Sequence, residues 1–405
     1  MRILFQIILL FPLNLCFAQK NDGPKVGFGI EQIKAEAIIE AGLTGKGVKI
    51  GIIDVGFYKA NSAPTLKHLF EEGRVKAYRD FVTPNMKPYV GSRQLGDDHG
   101  TEVWKMIAGF HPEREVQFGL ARNADFYLAR TDDSRKEYRV EEEYLIAALE
   151  WLDSLDVKLV NISIGYSTGF DDSKDDYKPE VMDGKSLALT RAAQTAAEKG
   201  MLLVIAGGND GNNAFQVVST PGDAKDALTV GATGFKTAQK VKYSSVGGEF
   251  LTYLKPDIAC FSASGTSFSA PLITGLAACI WEMNPDLTNL EVKELILKSA
   301  NLHPYGNNYI GFGVPNAEKI LTTLKLEPPS ANLRLVEAGR KKHKLALEES
   351  DVFKKALIFH KKDSRNVIDQ VMLDSIPQQL LIERVEGAAF TTILLENGGY
   401  EIKWK

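Results

Sequence analysis

The chain has 405 residues, of which 44% are hydrophobic and 25% are charged, as expected of a globular protein with a full apolar core. That length allows two domains, or one large domain with an appendage. The net charge of -4 gives no reason to expect a nucleic-acid partner, and no basic run is long enough to indicate one. The short basic cluster at residues 340–344 is interpreted as a solvated strand edge.

Residues 1–18 are predicted to be a signal peptide. Arg2 supplies a positive charge, residues 3–15 form a short apolar stretch, and Ala18 is a small residue after which cleavage can occur. Proline and polar residues interrupt the stretch, which is too short to span a membrane stably. Lipidation at Cys16 is the competing interpretation, although Leu15 stands at the preceding position, where a small residue is expected. Export leaves the periplasm, the cell surface and the medium open as destinations.

Two cysteines, Cys260 and Cys279, remain after the predicted cleavage. Two do not make a disulfide framework. Both lie in apolar surroundings, so buried free thiols are favoured over a bridge between them.

Strand and helix patterns alternate along the first three quarters of the chain. A glycine-rich turn at residues 42–47 leads into a short apolar strand that ends at Asp54. Similar strands are predicted at 124–130, 157–164, 201–206 and 227–230, with helices at 141–155 and 187–199. This alternation predicts a doubly wound α/β domain with a parallel sheet. Sites in such sheets form at the carboxyl ends of the strands, where Asp54 and the turn around Asn209 lie.

A turn at residues 265–269 runs into an apolar, small-residue helix predicted at Ala270–Met283. Ser267 therefore lies near the N-terminus of this helix, where free N–H groups and the helix dipole favour negative charge. A serine in that position is a candidate nucleophile. It also fits the simpler role of a helix cap.

The sequence Gly-Thr-Ser-x-Ser-Ala-Pro at residues 265–271 resembles the nucleophile motif of the subtilisin-like serine proteases, the subtilases of peptidase family S8. Other blocks resemble further segments of that family and follow its Asp, His, Ser order. They are Gly-Ile-Ile-Asp-Val-Gly at 51–56, Asp-His-Gly-Thr-Glu-Val at 98–103, Asn-Ile-Ser-Ile-Gly at 161–165, Ala-Gly-Gly-Asn-Asp-Gly at 206–211, Tyr-Ser-Ser at 243–245, Lys-Pro-Asp-Ile-Ala at 255–259 and Gly-Phe-Gly-Val-Pro-Asn-Ala at 311–317. The resemblance implies a subtilisin-like fold.

The resemblance also implies the roles of four residues. Ser267 would be the nucleophile and His99 the general base, while Asp54 would hold the imidazole in its working tautomer. The side-chain amide of Asn209, with the backbone N–H of Ser267, would form the oxyanion hole. Taken singly, each residue has a structural alternative: Asp54 as a turn former, His99 as a residue at a helix start, and Asn209 as a left-handed turn residue.

The segment Ser163, Ile164 and Gly165 resembles the strand along which the family binds its substrate in extended form. Several positions depart from the family pattern, Val55 and Phe268 among them. Val55 stands where a Thr or Ser usually follows the aspartate, so one hydroxyl donor to that carboxylate is expected to be missing. Phe268 follows the nucleophile and is expected to narrow the side that holds the leaving group.

Catalysis by this family requires no cofactor, and calcium is kept as a possible structural ion. The family's calcium loop after the histidine helix has no counterpart at residues 109–115. An acidic insertion offers hard oxygen ligands at short spacing, and a solvated acidic loop is the alternative. Its weak candidate ligands are Asp171, Asp172, Asp175 and Asp176.

After residue 325 the pattern changes. Pro328 and Pro329 break the chain, and short runs with period-two alternation follow at 333–337, 355–359, 367–373, 380–385, 391–395 and 400–404. This pattern predicts a small antiparallel β domain. The chain is thus divided into a signal peptide (1–18), a peptidase domain (19–325) and a β-rich domain (326–405). Adhesion, sorting and stabilisation of the peptidase remain open as roles of the last part.

These observations together predict an exported serine endopeptidase that acts on polypeptides through an acyl-enzyme intermediate, with no nucleic-acid partner and no membrane span. The alternative is a catalytically silent subtilase fold that serves as a surface-binding or scaffold protein. Side-chain specificity, natural substrate and oligomeric state are left open.

Overall fold

The computed structural model describes residues 25–325, 333–339, 341–347, 354–396 and 398–405. The predicted signal peptide, the alternative lipidation site Cys16 and the break at Pro328-Pro329 lie outside these ranges. The described chain forms a parallel α/β body followed by a β-rich part.

The α/β body is built on a parallel sheet of seven strands in the order β10-β9-β8-β7-β2-β6-β3. The strands are β2 (Lys49–Asp54), β3 (Val75–Asp80), β6 (Asp125–Arg130), β7 (Leu159–Ile162), β8 (Leu202–Ala206), β9 (Leu228–Thr233) and β10 (Ile258–Phe261). Strands β7, β8 and β9 are buried along their whole length, as a parallel sheet covered on both faces requires. The predicted doubly wound α/β fold is confirmed.

Helices cover both faces of this sheet. They are α1 (Phe28–Gln32), α2 (Glu36–Glu40), α3 (Lys67–Glu71), α4 (His99–Ala108), α5 (Val140–Ser154), α6 (Ala188–Glu198), α7 (Ala270–Met283), α8 (Asn289–Ser299) and α9 (Ala317–Lys325). Helices α5 and α6 form one core with the sheet, and α4, α7 and α8 form the other. Successive side chains of β2 pack into opposite cores: Ile52 lies in one core and Ile53 in the other. A small sheet of β1 (Lys25–Val26), β5 (Val116–Gln117) and β4 (Phe110–His111) lies beside this body.

Helix α7 is buried from Ala270 to Trp281. Its small and apolar side chains allow this, because a helix that is hydrophobic all round can be enclosed by its neighbours. Cys279 in this helix and Cys260 in β10 are buried and free, which confirms the prediction made for them.

The carboxyl ends of three adjacent strands bring the predicted site residues to one edge of the sheet. Strands β8, β7 and β2 are neighbours. Asp54 ends β2, Ser163 follows β7, and Asn209 lies shortly after the end of β8. Parallel strands all point the same way, so these residues share one edge.

The β-rich part has a sheet of five strands in the order β11-β17-β16-β13-β14, and β12 pairs with β15. Its strands are β11 (Leu333–Ala338), β12 (Lys342–Ala346), β13 (Ala356–Lys361), β14 (Val367–Leu373), β15 (Gln379–Glu383), β16 (Phe390–Leu395) and β17 (Gly398–Trp404). The pairs are antiparallel, as predicted, except that β11 and β17 run parallel. These two strands are far apart in sequence, so no hairpin turn constrains their direction. The basic cluster contributes to β12, where Lys342 and Lys344 are exposed.

An apolar contact joins the β-rich part to the α/β body. Leu302 and Ile310 of the body lie in one buried cluster with Leu357 and Phe359 of β13. Asn308 adds two hydrogen bonds, since its backbone N–H donates to the carbonyl of Arg365 at 2.9 Å and its Oδ1 accepts from the Val367 N–H at 3.0 Å. The β-rich part is therefore held against the body by both packing and hydrogen bonding.

A buried charge cluster lies beneath the sheet edge near β10. Asp257 accepts from Lys255 Nζ at 2.7 Å and pairs with Lys293 Nζ at 3.0 Å, and all three side chains are almost fully enclosed. The N–H of Thr229 donates to the same carboxylate at 2.7 Å. The two ammonium groups share one carboxylate, so its removal would leave both without the partner of their ion pair.

Replacing Asp257 with alanine is expected to lower the free energy of unfolding by about 3–5 kcal/mol, because breaking a buried pair leaves uncompensated charge in the interior. Chemical denaturation followed by circular dichroism measures this change. Glu71→Ala, which removes an exposed pair with Lys67, is the control and should cost at most about 1 kcal/mol. Equal losses in the two variants would show that Asp257 has no special structural role.

Candidate active site

The Asp54 and His99 side chains form a direct pair. Asp54 is the last residue of β2 and is fully buried, and His99 is the first residue of α4. Nδ1 of His99 lies 2.7 Å from Oδ1 of Asp54. Gly100 makes this approach possible, since a Cβ there would lie 2.6 Å from the Gly56 carbonyl oxygen and 2.8 Å from the Asp54 Cβ. The other ring nitrogen of His99 is left for another partner.

The surroundings of His99 raise its pKa above the ordinary imidazole value. Burial by itself lowers the pKa, but the carboxylates of Asp54, Asp132 and Asp98 raise it by more. Asp54 contributes both through its charge and through the hydrogen bond to the ring. The structure thus stabilises the imidazolium that forms when this ring takes up a proton.

One oxygen of the Asp54 carboxylate lacks a donor. Oδ1 accepts from the Val55 N–H at 2.8 Å and faces His99, whereas Oδ2 is buried without a hydrogen-bond partner in the described part of the chain. Val55 has no hydroxyl that could reach it. At the position that the sequence singled out, Val55 thus offers the carboxylate only its backbone N–H.

Ser267 lies in a single 3₁₀ turn, Thr266–Phe268, directly before α7. Its hydroxyl donates to the Ser163 carbonyl at 2.9 Å, and it makes no hydrogen bond with His99 in this structure. The Phe268 ring lies 5.6 Å from the His99 ring, centroid to centroid, so the turn that carries the serine packs against the imidazole. Catalytic hydrogen bonds are often absent in unliganded sites and form when substrate binds. Rotation of the Ser267 side chain would be needed to form this one.

The Asn209 side chain is anchored through its oxygen. Oδ1 accepts from the Thr266 N–H at 2.9 Å and from the Thr266 hydroxyl at 3.2 Å. The side-chain nitrogen of Asn209 and the backbone N–H of Ser267 have no acceptor among the described residues. Two N–H donors beside the Ser267 hydroxyl are thus unused.

A buried hydrogen-bond network ties the segment after β7 to α7. Thr274 donates to Asn161 Oδ1 at 2.9 Å, and Asn161 Nδ2 donates to the Ser163 hydroxyl at 2.8 Å. That hydroxyl in turn donates to the backbone carbonyl of Ser267 at 3.1 Å. Asn161 belongs to the motif at 161–165 but was given no role from the sequence, and Thr274 was not singled out, because only the contact between β7 and α7 reveals their part in placing Ser267.

The two residues after Ser163 have free backbone groups. Neither Ile164 nor Gly165 makes a backbone hydrogen bond to any part of the chain that the structure describes. Gly165 packs closely, since a Cβ there would lie 2.6 Å from the Ser219 hydroxyl oxygen. An extended peptide could pair with these groups as an added strand.

The four acidic residues of the insertion contact groups of this chain, two within the insertion and two in a neighbouring segment. Asp176 accepts from the N–H groups of Gly169 and Phe170, and Asp172 accepts from that of Lys174. Asp171 and Asp175 face another segment. The Asp171 N–H donates to the Glu137 carbonyl, its Oδ1 accepts from the Glu137 N–H, and Asp175 lies beside Arg139. In the described chain no group of three or more His, Cys, Asp or Glu side chains could hold a metal ion.

The fold and this edge of the sheet together define a serine hydrolase with an α/β architecture. The subtilase family model matches residues 45–313, and the chain belongs to that family and is a serine-type endopeptidase. It is 30% identical to Subtilisin NAT of Bacillus subtilis subsp. natto, over 72% of this chain and 70% of that protein. It is 29% identical to Subtilisin of Bacillus pumilus, over 72% of this chain and 98% of that protein.

Solved structures agree in fold. The MycP3 protease from the type VII (ESX-3) secretion system matches with a TM-score of 0.56 at 21% identity, covering 75% of this chain and 90% of that one. The protease domain of PatA, solved as a point mutant, matches with a TM-score of 0.53 at 22% identity. The match covers 70% of this chain and 97% of the PatA chain. Within the described residues, no helix combines the length and apolarity needed to cross a bilayer.

Proposed function

We propose that this subtilase cleaves polypeptides through an acyl-enzyme intermediate, with Asp54, His99 and Ser267 as its catalytic triad. The observation that carries the proposal is the 2.7 Å contact between His99 Nδ1 and the buried Asp54 carboxylate, next to Ser267. This contact fixes the tautomer in which the second ring nitrogen is free to accept a proton. No cofactor is needed for these steps.

In the proposed mechanism, the Ser267 side chain first turns from the Ser163 carbonyl toward His99. The hydroxyl oxygen attacks the scissile carbonyl carbon while its proton passes to His99. The imidazolium, stabilised by Asp54, then donates that proton to the leaving amine as the peptide C–N bond breaks. Water, deprotonated by His99, releases the acyl group and restores the serine.

The negative oxygen of the tetrahedral intermediate needs donors already in place. Asn209 Nδ2 and the Ser267 backbone N–H are the proposed pair, because both lack protein acceptors in the described chain and lie next to the nucleophile. The anchoring of Asn209 by Thr266 keeps its amide from turning around when substrate binds.

Asn209→Ala is expected to lower kcat by about 10²–10³-fold with little change in KM, the loss seen for the corresponding asparagine of subtilisin itself. Steady-state kinetics on a chromogenic peptide measure both constants. Asn209→Asp is the matched variant: it keeps an oxygen for Thr266 but loses the N–H donor, so it should lose at least as much. Wild-type kcat in the Asp variant would exclude the oxyanion role.

The substrate is proposed to lie extended along Ser163, Ile164 and Gly165. The unpaired backbone groups of Ile164 and Gly165 support this arrangement. We further propose that the chain is exported by residues 1–18 to the periplasm, the cell surface or the medium. The proposed division places the peptidase in residues 19–325 and a separate β-rich domain in residues 326–405.

A silent subtilase fold that acts as a scaffold is the second candidate. One observation favours it: the Ser267 hydroxyl is bonded to Ser163 and not to His99. A fluorophosphonate probe separates the two, because it reacts only with an activated hydroxyl. Stoichiometric labelling, located by mass spectrometry on the peptide that contains Ser267, is the expected result. An unlabelled chain that is folded by circular dichroism would support the scaffold.

A further inference from the structure

A cavity of about 300 Å³ opens beside the proposed nucleophile. Ser267 and Asn209 form one end, and the segment from Ser163 to Gly165 forms one wall. Four carboxylates line it and no Lys, Arg or His of the described chain does; they are Asp132, Asp133, Glu137 and Asp210. The cavity is therefore lined by acidic groups next to the point where a peptide would be cut.

The cavity lies on the acyl side of the scissile bond. The leaving amine must sit next to His99, which gives it a proton. Neither His99 nor Phe268, which packs on its ring, lines the cavity. Asn209, the proposed partner of the carbonyl oxygen, does line it. A side chain in this space thus belongs to a residue whose carbonyl is attacked or to one that precedes it.

The four carboxylates differ in their partners. Asp133 is ion-paired with Arg135 at 2.7 Å. Asp132 is only 6% exposed and accepts from the hydroxyls of Tyr166 and Thr131, at 2.8 and 2.5 Å.

Asp210 accepts from the Ser167 hydroxyl at 2.8 Å and from Asn213 Nδ2 at 2.6 Å. Glu137 is half-buried, and among the described residues its carboxylate has neither a hydrogen-bond donor nor a cation. Glu137 is thus the lining carboxylate that is free to bind a group from outside.

We propose that Glu137, supported by Asp132, is a specificity-determining residue that selects a Lys or Arg side chain on the acyl side of the cleaved bond. This inference rests on the proposed peptidase function. A cationic side chain entering the cavity would find a carboxylate with no competing partner, and its charge would be offset where water is scarce. A neutral side chain of the same length would leave that carboxylate unpaired.

The electrostatics of the lining support this assignment. Burial, with the charges of Glu141 and Asp171, raises the pKa of Glu137 to about 7. Burial raises the pKa of Asp132 to about 8, with Glu141 and Glu137 adding to it and the Thr131 and Tyr166 hydroxyls opposing it. A bound cation favours the ionised carboxylates. Because both groups are more fully charged at high pH, preference for a cationic substrate should grow as pH rises from about 6 to about 8.5.

The test uses the full chain and two peptides that differ in one acyl-side residue, Arg in one and its neutral isostere citrulline in the other. For the wild type at about pH 8.5, kcat/KM should favour the Arg peptide by about 10–100-fold, the range expected of a hydrogen bond to a charged group. This ratio should fall as the pH is lowered toward about 6, where both carboxyls take up protons. The titration of His99 affects the cleavage of both peptides alike, so it cancels in the ratio of their kcat/KM values.

Glu137→Gln should reduce the ratio about tenfold, mainly through the Arg peptide, and Asp132→Asn should reduce it less. Asp175→Asn is the control: it removes a charge from the acidic insertion, outside the cavity lining, and should leave the ratio unchanged. Cleavage of the citrulline peptide shows that each variant is folded and active. A ratio near one in the wild type, or one that survives Glu137→Gln, would overturn the assignment and leave the peptidase function standing. Failure to cleave either peptide, or any other, would overturn both.

Discussion

Replacing Ser267 with alanine is expected to reduce kcat on the order of 10⁶-fold, a magnitude taken from removal of the nucleophile of subtilisin itself. The chain offers no second hydroxyl in the same position among the described residues. The Ser163 hydroxyl, which lies against the same turn, already donates to the Ser267 backbone carbonyl and accepts from Asn161. Without the serine, the His99–Asp54 pair has no nucleophile to activate.

Peptidase kinetics and fluorophosphonate labelling together test this prediction, and both activity and labelling should be lost in Ser267→Ala. Ser264→Ala is a fitting control, because Ser264 is an exposed serine of the same loop whose hydroxyl makes no hydrogen bond in the described chain. It should keep full labelling and activity. A Ser267→Ala protein that still hydrolyses peptides would assign the reaction to another residue or to a contaminant.

Asp54→Asn is expected to lower kcat/KM by about 10⁴-fold at neutral pH, because the amide favours the wrong imidazole tautomer. The pH dependence should move as well. His99 must be neutral to accept the serine proton, and the Asp54 charge helps to raise its pKa above the ordinary value. Wild-type activity should therefore rise with pH through a midpoint above 6.5, the ordinary imidazole pKa. Loss of the Asp54 charge should shift that midpoint to lower pH.

A pH profile of kcat/KM for both proteins measures the shift, and NMR titration of the imidazole gives the pKa of His99 directly. Asp98→Asn serves as the comparison. Asp98 also raises the pKa of His99, but it is paired with Arg93 at 3.0 Å and makes no hydrogen bond to the ring. Its substitution should give a smaller downward shift with activity retained. An unchanged midpoint in Asp54→Asn would contradict the proposed role of that carboxylate.

Much of the fold follows from local sequence pattern. Buried parallel strands such as β8 are continuous apolar runs, and α7 is a run of small apolar residues, so both could be recognised without knowledge of their neighbours. Six strands of the β-rich part were recognisable from alternation, and the predicted run at 367–373 coincides with β14, whereas β12 was not among the predicted runs. The parallel pairing of β11 with β17 was not predicted. The residues of a strand do not indicate whether it pairs parallel or antiparallel with a strand that is distant in sequence.

The residues of the candidate site could be named from the sequence because each lies within a short motif. The sequence also drew attention to Val55, which donates to the Asp54 carboxylate only through its backbone N–H. The orientation of Ser267 could not be anticipated. Its hydroxyl can donate either to His99 or to the Ser163 carbonyl. Which acceptor it reaches depends on the spacing of three segments that come from different parts of the chain.

The amino-acid sequence by itself determined the alternation of strands and helices, the family and the candidate site residues, because these depend on residue type and on spacing within short segments. Tertiary structure alone decided which carboxylates face the cleft. Glu137 lies outside every motif, and the acidic insertion that the sequence singled out does not line the cavity. Charge is recorded in the sequence, but burial and the distance between charges are set only when remote segments pack, and these two quantities govern the strength of an electrostatic interaction.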